Sequence, residues 1–254
     1  MTDSCLCGHP WSRHETPGTE CSVVGCTCSL FGSPESLPEG PARELLVATA
    51  PAFELVAERY DPMARGEGEH WPTPGWVLRA LLDAYPPPTA WVVEPSAGEG
   101  AMVRVLVERG HHVAAVEQNP ACLAALEASG ARLVDCPADW LVFTEARKLA
   151  GCEPFSIVLN PPYRPAHVAL AHLLAALTCG AEYVAALLPL SFLSGGSGRR
   201  HLWRRHEPTA IHWFSERPKF SGSGGMFEPC WVVWEARSAR NALRCMTMLE
   251  RGTA

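Results

Sequence analysis

Trp91-Val92-Val93-Glu94-Pro95-Ser96-Ala97-Gly98-Glu99-Gly100 is the stretch on which the reading of the chain turns. A short apolar run ends in an acid, a turn of small residues with two glycines follows, and an amphipathic stretch over 100–109 begins at once. Strand, tight turn and helix in that order open a doubly wound sheet. At the carboxyl end of a first parallel strand, a glycine turn lets a ligand come close to the backbone. A nucleotide-binding crevice is therefore expected along Glu94, Pro95, Ser96, Ala97 and Gly98. Only Gly98 and Gly100 are present, so the G-x-G-x-x-G dinucleotide pattern is absent.

Outward from this stretch, apolar runs and helix-like segments alternate. Strands are expected at 91–94, 113–117, 131–134, 155–159, 183–188, 210–214 and 230–234, with helices at 100–109, 120–129, 138–149, 166–178 and 198–206. No helical pattern separates the last two strands, which predicts a closing antiparallel hairpin, and residues 237–254 read as a final helix. The second strand ends in Glu117, followed by Gln118; an acid there can accept hydrogen bonds from both hydroxyls of a ribose. Upstream, Thr73 and Pro74 precede an amphipathic run and read as N-cap and first helical residue.

The fourth strand runs straight into Asn160-Pro161-Pro162-Tyr163. Two prolines fix φ and remove two backbone donors, leaving a stiff turn that displays carbonyl acceptors. The Asn160 side-chain oxygen and the Pro161 carbonyl can together accept the two hydrogens of an amino group conjugated to a π-system. Its nitrogen is then free to pyramidalise toward an electrophile, and the fixed acceptors stabilise the charge that develops. Tyr163 offers an aromatic face on which a planar base can stack. In a duplex, such a base has to be flipped out of the helix to reach the turn.

The chain has 254 residues, room for one α/β domain and a small appendage. Its net charge of −6 argues against a protein that coats nucleic acid. Arg199, Arg200, Arg204 and Arg205 nevertheless form a local basic cluster, either a solvated helix face or a phosphate contact. No apolar run approaches the length of a membrane span, and the first residues lack the basic start and apolar core of a signal peptide. The expected setting is cytoplasmic, without a membrane partner.

These motifs together resemble adenine-specific (N6) DNA methyltransferases of the phage and prophage type, over about residues 70–236. The resemblance implies a Rossmann-like seven-stranded methyltransferase sheet, mostly parallel with an antiparallel last strand, that binds S-adenosyl-L-methionine. In such enzymes the Glu94–Gly98 turn surrounds the methionine moiety, and Thr73-Pro74 borders its carboxylate. The acid after the third strand, here Asp139 within Asp135-Cys136-Pro137-Ala138-Asp139-Trp140, contacts the adenine of the cofactor. Leu188–Leu193 resembles the fifth strand and its exit, and Arg217-Pro218-Lys219-Phe220 the approach to the final strand. The loop over 221–228 is expected near the target pocket, where Lys219 or Phe220 can touch substrate, with core packing the favoured role for Phe220. The implied partner is DNA; RNA or a glutamine amide in a protein presents the same kind of amine. A non-enzymatic zinc-containing nucleic-acid-binding module is the other reading, but it predicts broken motifs, and these are intact. Unlike larger relatives, residues 70–254 leave no room for a separate target-recognition domain. Specificity is then low, or falls to a loop, a partner subunit or the N-terminal module.

That module spans 1–31 and is joined to the domain by a Pro- and Gly-rich linker with a short helix over 32–69. Five of the eleven cysteines lie in the first 28 residues, beside His9 and His14. In a reducing compartment such a cluster points to metal rather than disulfides. A segment this small cannot fold by apolar burial, so a structural zinc would supply its folding energy. Cys7, His14, Cys26 and Cys28 are the expected ligands, with Cys21 or Cys5 as replacements. Removing residues 1–31 is expected to abolish bound zinc, as measured by elemental analysis of the purified full and shortened chains; undiminished zinc would refute the assignment.

Overall fold

A computed structural model describes residues 71–134, 140, 153–163, 166–194, 197–220, 228–236 and 245–251. The Cys7, His14, Cys26 and Cys28 set, the 32–69 linker, Asp139, most of the helix expected at 138–149 and loop residues 221–227 lie outside them.

The strands are β1 (Trp91–Glu94), β2 (His112–Ala115), β3 (Arg132–Leu133), β4 (Phe155–Leu159), β5 (Tyr183–Pro189), β6 (Ala210–Phe214), β7 (Pro229–Glu235) and β8 (Cys245–Leu249). The helices are α1 (Gly75–Ala84), α2 (Ala101–Glu108), α3 (Leu123–Glu127), α4 (Ala166–Thr178) and α5 (Ser197–Arg205). One sheet contains all the strands, in the order β3-β2-β1-β4-β5-β7-β6-β8. Strands β3 to β5 pair in parallel, and β7 runs antiparallel to both β5 and β6. The expected closing hairpin is thus present. The central strands are apolar throughout, as strands covered on both faces must be; all five residues of β4 are buried.

Alternate strand residues feed two cores. Val92, Val158, Ala185, Leu187 and Trp231 face the first, with α1 and α2 packed over them. Val93, Ile157, Leu159, Ala186 and Leu188 face the second, under α4 and α5. Handedness explains the division. From β1 the chain moves one way along the sheet to β2, and from β4 the other way to β5. Right-handed crossovers therefore place α2 and α4 on opposite faces.

Two expectations are corrected. The sheet has eight strands, because residues 245–249 form β8, parallel to β6, where a final helix was expected. Good helix formers in that stretch lose to backbone pairing with β6, aided by Thr247, whose hydroxyl lies 2.6 Å from His212 Nδ1. Nor does Thr73 cap α1. The helix starts at Gly75 after Pro74, with no side-chain cap, and the Thr73 hydroxyl is engaged elsewhere. Helix α1 is fixed instead by burial of Val77, Leu78, Leu81 and Leu82. The fully buried Trp231 of β7 also donates from Nε1 to the Val77 carbonyl at 3.0 Å. Replacing Trp231 with Ala removes both the packing and that bond; a loss of about 3–5 kcal/mol in urea unfolding is expected.

Candidate active site

β1 sits where the chain reverses its direction along the sheet, flanked by β2 and β4. A crevice opens at such a point, outside the carboxyl ends of the strands. Glu94 ends β1, and Asn160 follows β4 on the neighbouring strand.

Glu94 is 2 % exposed. Burial, and secondarily the charge of Glu117, hold its carboxyl well above the ordinary glutamate range, against the opposing pull of Arg104 and the Val103 amide. Its Oε2 is buried with no hydrogen-bond partner among the described residues. An uncompensated buried carboxylate oxygen is costly unless a donor or cation arrives.

The turn after Glu94 folds over β2. Ala97 N–H donates to the Val116 carbonyl at 3.1 Å, and Val116 N–H to the Glu94 carbonyl at 3.0 Å. Gly98 and Gly100 have φ of 54° and 78°, in the left-handed region. At Gly100 a Cβ would also lie 2.8 Å from Ser129, so the site needs glycine twice over. Strand β2 ends at Ala115, and Glu117 lies just beyond it. The half-buried Glu117 carboxylate clamps the turn, accepting from Gly98 N–H at 2.7 Å and from Asn119 N–H at 2.6 Å. Four lone-pair sites remain only partly used, so the group can still accept from a ligand hydroxyl. Pro95 and Ala97 are buried, and Ser96 and Gln118 half-buried, around this clamp.

The tetrad is tied into the same end of the sheet. Asn160 Nδ2 donates to the Thr73 hydroxyl at 3.0 Å and lies 3.5 Å from the Trp71 carbonyl. Asn160 Oδ1 accepts from the Tyr163 hydroxyl at 2.6 Å, and that hydroxyl also lies against the Leu187 carbonyl of β5. The half-buried Tyr163 ring packs against the core under α4 and α5. Pro161 is buried and Pro162 half-buried.

The structure therefore gathers Thr73, Asn160 and Tyr163 into one hydrogen-bonded group, and Gly98, Asn119 and Glu117 into another, with the Glu94 carboxyl close enough to feel the Glu117 charge. Sequence reasoning had missed the Thr73–Asn160 bond, which spans 87 positions, and the part of the Leu187 carbonyl, a backbone atom that no residue type signals. Phe220 lies in the core, as expected, and Lys219 is exposed. Of the basic cluster, Arg200 and Arg204 are exposed, whereas Arg199 donates to the Ser191 carbonyl and covers the Phe192 ring. The described residues contain no cluster of His, Cys, Asp and Glu that could hold a metal. Nor do they include a helix long and apolar enough to cross a membrane.

The sequence matches no family model and no curated protein. Solved structures do match. One is the modification subunit of a protein assigned as a type I restriction enzyme from Vibrio vulnificus, with a TM-score of 0.53 and 13 % identity over 84 % of this chain and 53 % of that one. The chain thus spans about half the length of that subunit. A protein assigned as a class I S-adenosylmethionine-dependent methyltransferase from Listeria monocytogenes gives 0.50 and 14 % over 85 % of this chain and 73 % of that one. A protein assigned as an RNA methyltransferase from Pyrococcus horikoshii gives 0.50 and 14 % over 80 % and 100 %. The described residues therefore adopt an α/β, Rossmann-like methyltransferase fold, with a mixed and mostly parallel sheet extended to eight strands.

Proposed function

We propose that this domain transfers the methyl group of S-adenosyl-L-methionine to the exocyclic amino group of adenine in DNA. The observation that carries the reading is the anchored Asn160 amide just beyond β4, at the end of the sheet where Glu94 and Glu117 also lie. The crevice fits the cofactor on its own chemistry. The orphaned Glu94 oxygen suits the ammonium of the methionine part, left-handed Gly98 lets a ligand reach the backbone, and Glu117 retains acceptor capacity for ribose hydroxyls. In this reading Thr73, Pro74, Pro95, Ser96, Ala97, Gln118 and Asp139 border it as well, Asp139 at its adenine. Bound there, the cofactor supplies a methyl group on a positively charged sulfur.

The protein's part is to hold and polarise the amine. Asn160 Oδ1 and the Pro161 carbonyl accept its two hydrogens, so the nitrogen lone pair is turned toward the methyl group. Fixed acceptors favour the cationic product at no cost in reorganisation, and the surplus proton leaves to water. Pro162 stiffens the turn, and the Tyr163 ring takes the base on its face once its hydroxyl has left Oδ1. The Vibrio subunit, named for restriction–modification, and the Pyrococcus protein, named for RNA, support a nucleic-acid target from both sides. Zinc held by Cys7, His14, Cys26 and Cys28 belongs to the same reading and rests on the sequence alone.

The deciding experiment incubates the full chain and labelled cofactor with DNA, with RNA and with cell lysate, followed by nucleoside mass spectrometry. N6-methyladenine in DNA is expected; label confined to RNA or to protein overturns the DNA assignment. Asn160→Ala is expected to lower kcat by roughly 100-fold or more, and Tyr163→Ala by about 10-fold or more; unchanged rates overturn the mechanism. Glu94 gives a test by pH. Its raised value means that the fold favours the protonated carboxyl, so its contribution to stability is present at acid pH. That contribution is lost as pH rises from the ordinary glutamate range through the raised value. Glu94→Gln is accordingly expected to melt above wild type at pH 8 without cofactor, by a margin that shrinks toward pH 4. It should also bind S-adenosylmethionine more weakly in calorimetry.

A further inference from the structure

Exposed arginines elsewhere in the domain are engaged within it. Arg79 pairs with Glu108 at 2.7 Å, Arg109 with Asp83 at 2.8 Å and Arg217 with Glu228 at 2.7 Å. Arg104 donates to the Glu99 carbonyl, and Arg251 lies over the Trp76 ring. Arg200 and Arg204 of α5 differ. Both are exposed, and neither guanidinium makes an ion pair or hydrogen bond with a described residue. No Asp or Glu occurs between Glu182 and Glu207, and Glu207, exposed just past α5, pairs with neither arginine. Like charges one turn apart on a helix repel. In a chain of net charge −6, a helix with four arginines and no acid is a segregated positive surface.

The packing of α5 turns this stripe outward. Leu202 is buried, and the half-buried Trp203 stacks on Trp234 of β7 with ring centroids 6.0 Å apart. Arg200 and Arg204 are left on the open side, about 6 Å apart along the axis. The start of α5 is also fixed. Arg199 covers the Phe192 ring and donates to the Ser191 carbonyl at 2.9 Å, just past the carboxyl end of β5. That edge of the sheet is the one from which Asn160 emerges, since β4 and β5 run parallel. We propose that Arg200 and Arg204 form a phosphate-contact surface that holds the DNA backbone beside the base being methylated. The inference rests on the methyl-transfer reading above. A base lodged against the Asn160 turn brings its ribose and flanking phosphates to the same edge. Guanidinium groups hold phosphate oxygens by paired, charge-assisted hydrogen bonds. Such contacts fix the position of a strand without reading its sequence.

The test measures binding of the full chain to fluorescent DNA by anisotropy across a range of salt. The Arg200→Gln/Arg204→Gln double variant removes both charges and keeps long side chains that favour a helix. Its dissociation constant is expected to rise about tenfold or more near 0.1 M salt, and its log–log salt slope to become shallower by about 2. Arg200→Lys/Arg204→Lys keeps the charges and should restore the slope. Arg79→Gln/Arg109→Gln removes as much charge from paired arginines and should leave the slope within about 0.5 of wild type. In turnover with DNA, KM is expected to rise in the Arg200→Gln/Arg204→Gln variant while kcat at saturating DNA stays within about twofold. An unchanged slope in that variant overturns the inference, as does a wild type that binds no DNA or binds only RNA. An equal loss of slope in Arg79→Gln/Arg109→Gln also overturns it, because the effect is then one of net charge. The two proposals can fail separately. DNA methylated by a wild type whose slope ignores Arg200 and Arg204 keeps the reaction and removes this surface. DNA bound through both arginines but never methylated does the reverse.

Discussion

The parallel pairing of β1 with β4 is the constraint on which the site depends. Trp91 lies opposite Phe155, Val92 opposite Ser156 and Val93 opposite Ile157. This register is locked from both sides. Val92 and Val93 enter opposite cores, and at the far end the buried Thr89 and Ser156 hydroxyls meet at 2.7 Å. A slip of one residue would exchange the two faces of β4 and put its apolar set against the wrong helices. With the register fixed, the last residue of β1 and the first residue beyond β4 come out at the same edge. One strand delivers an acid and the other an amide, and neither position is adjustable without unpacking a core.

The acid is placed at a cost that the fold does not recover. Glu94 lies at full burial with Glu117 as a like-charged neighbour, and one of its oxygens has no partner among the described residues. Stability alone would favour a glutamine or an apolar residue there. Local disagreement of this kind at the end of a strand, where a crevice is expected, is consistent with the cofactor role proposed for Glu94. The Glu117 clamp shows the opposite economy. Its two backbone bonds, to Gly98 and Asn119, set the shape of the turn while leaving acceptor capacity open.

Much of this was legible in the sequence, and the reasons differ by element. Strands β1, β4 and β6 have the expected bounds, because each is a short apolar run closed by a polar residue or a turn. The two acids and the tetrad were legible because strand ends and residue types alone mark a switch point. β8 was not. Cys245-Met246-Thr247-Met248-Leu249 has residues that serve a helix as well as an edge strand, and only pairing with β6 decides between them. Thr73 was misread for a similar reason. Thr-Pro before an amphipathic run is a sound capping signal, but local rules cannot see an acceptor sought from 87 positions away. Long-range hydrogen bonds between side chains, and the backbone carbonyls they recruit, leave no local pattern to read.

In the proposed reaction the Tyr163 hydroxyl, bound to Asn160 Oδ1, is an occupant that the incoming amine must replace. Its departure would strip a hydrogen bond from the half-buried amide oxygen, and a visitor with no hydrogen to donate would not restore it. A net hydrogen bond is worth about 0.5–1.5 kcal/mol, enough to disfavour such a visitor by roughly twofold to tenfold before any bond is made. Bare ring nitrogens and carbonyl edges would fail this exchange; an amino group would complete it. The turn would thus sort its guests by what they donate, with the tyrosine serving as the reference against which each is weighed.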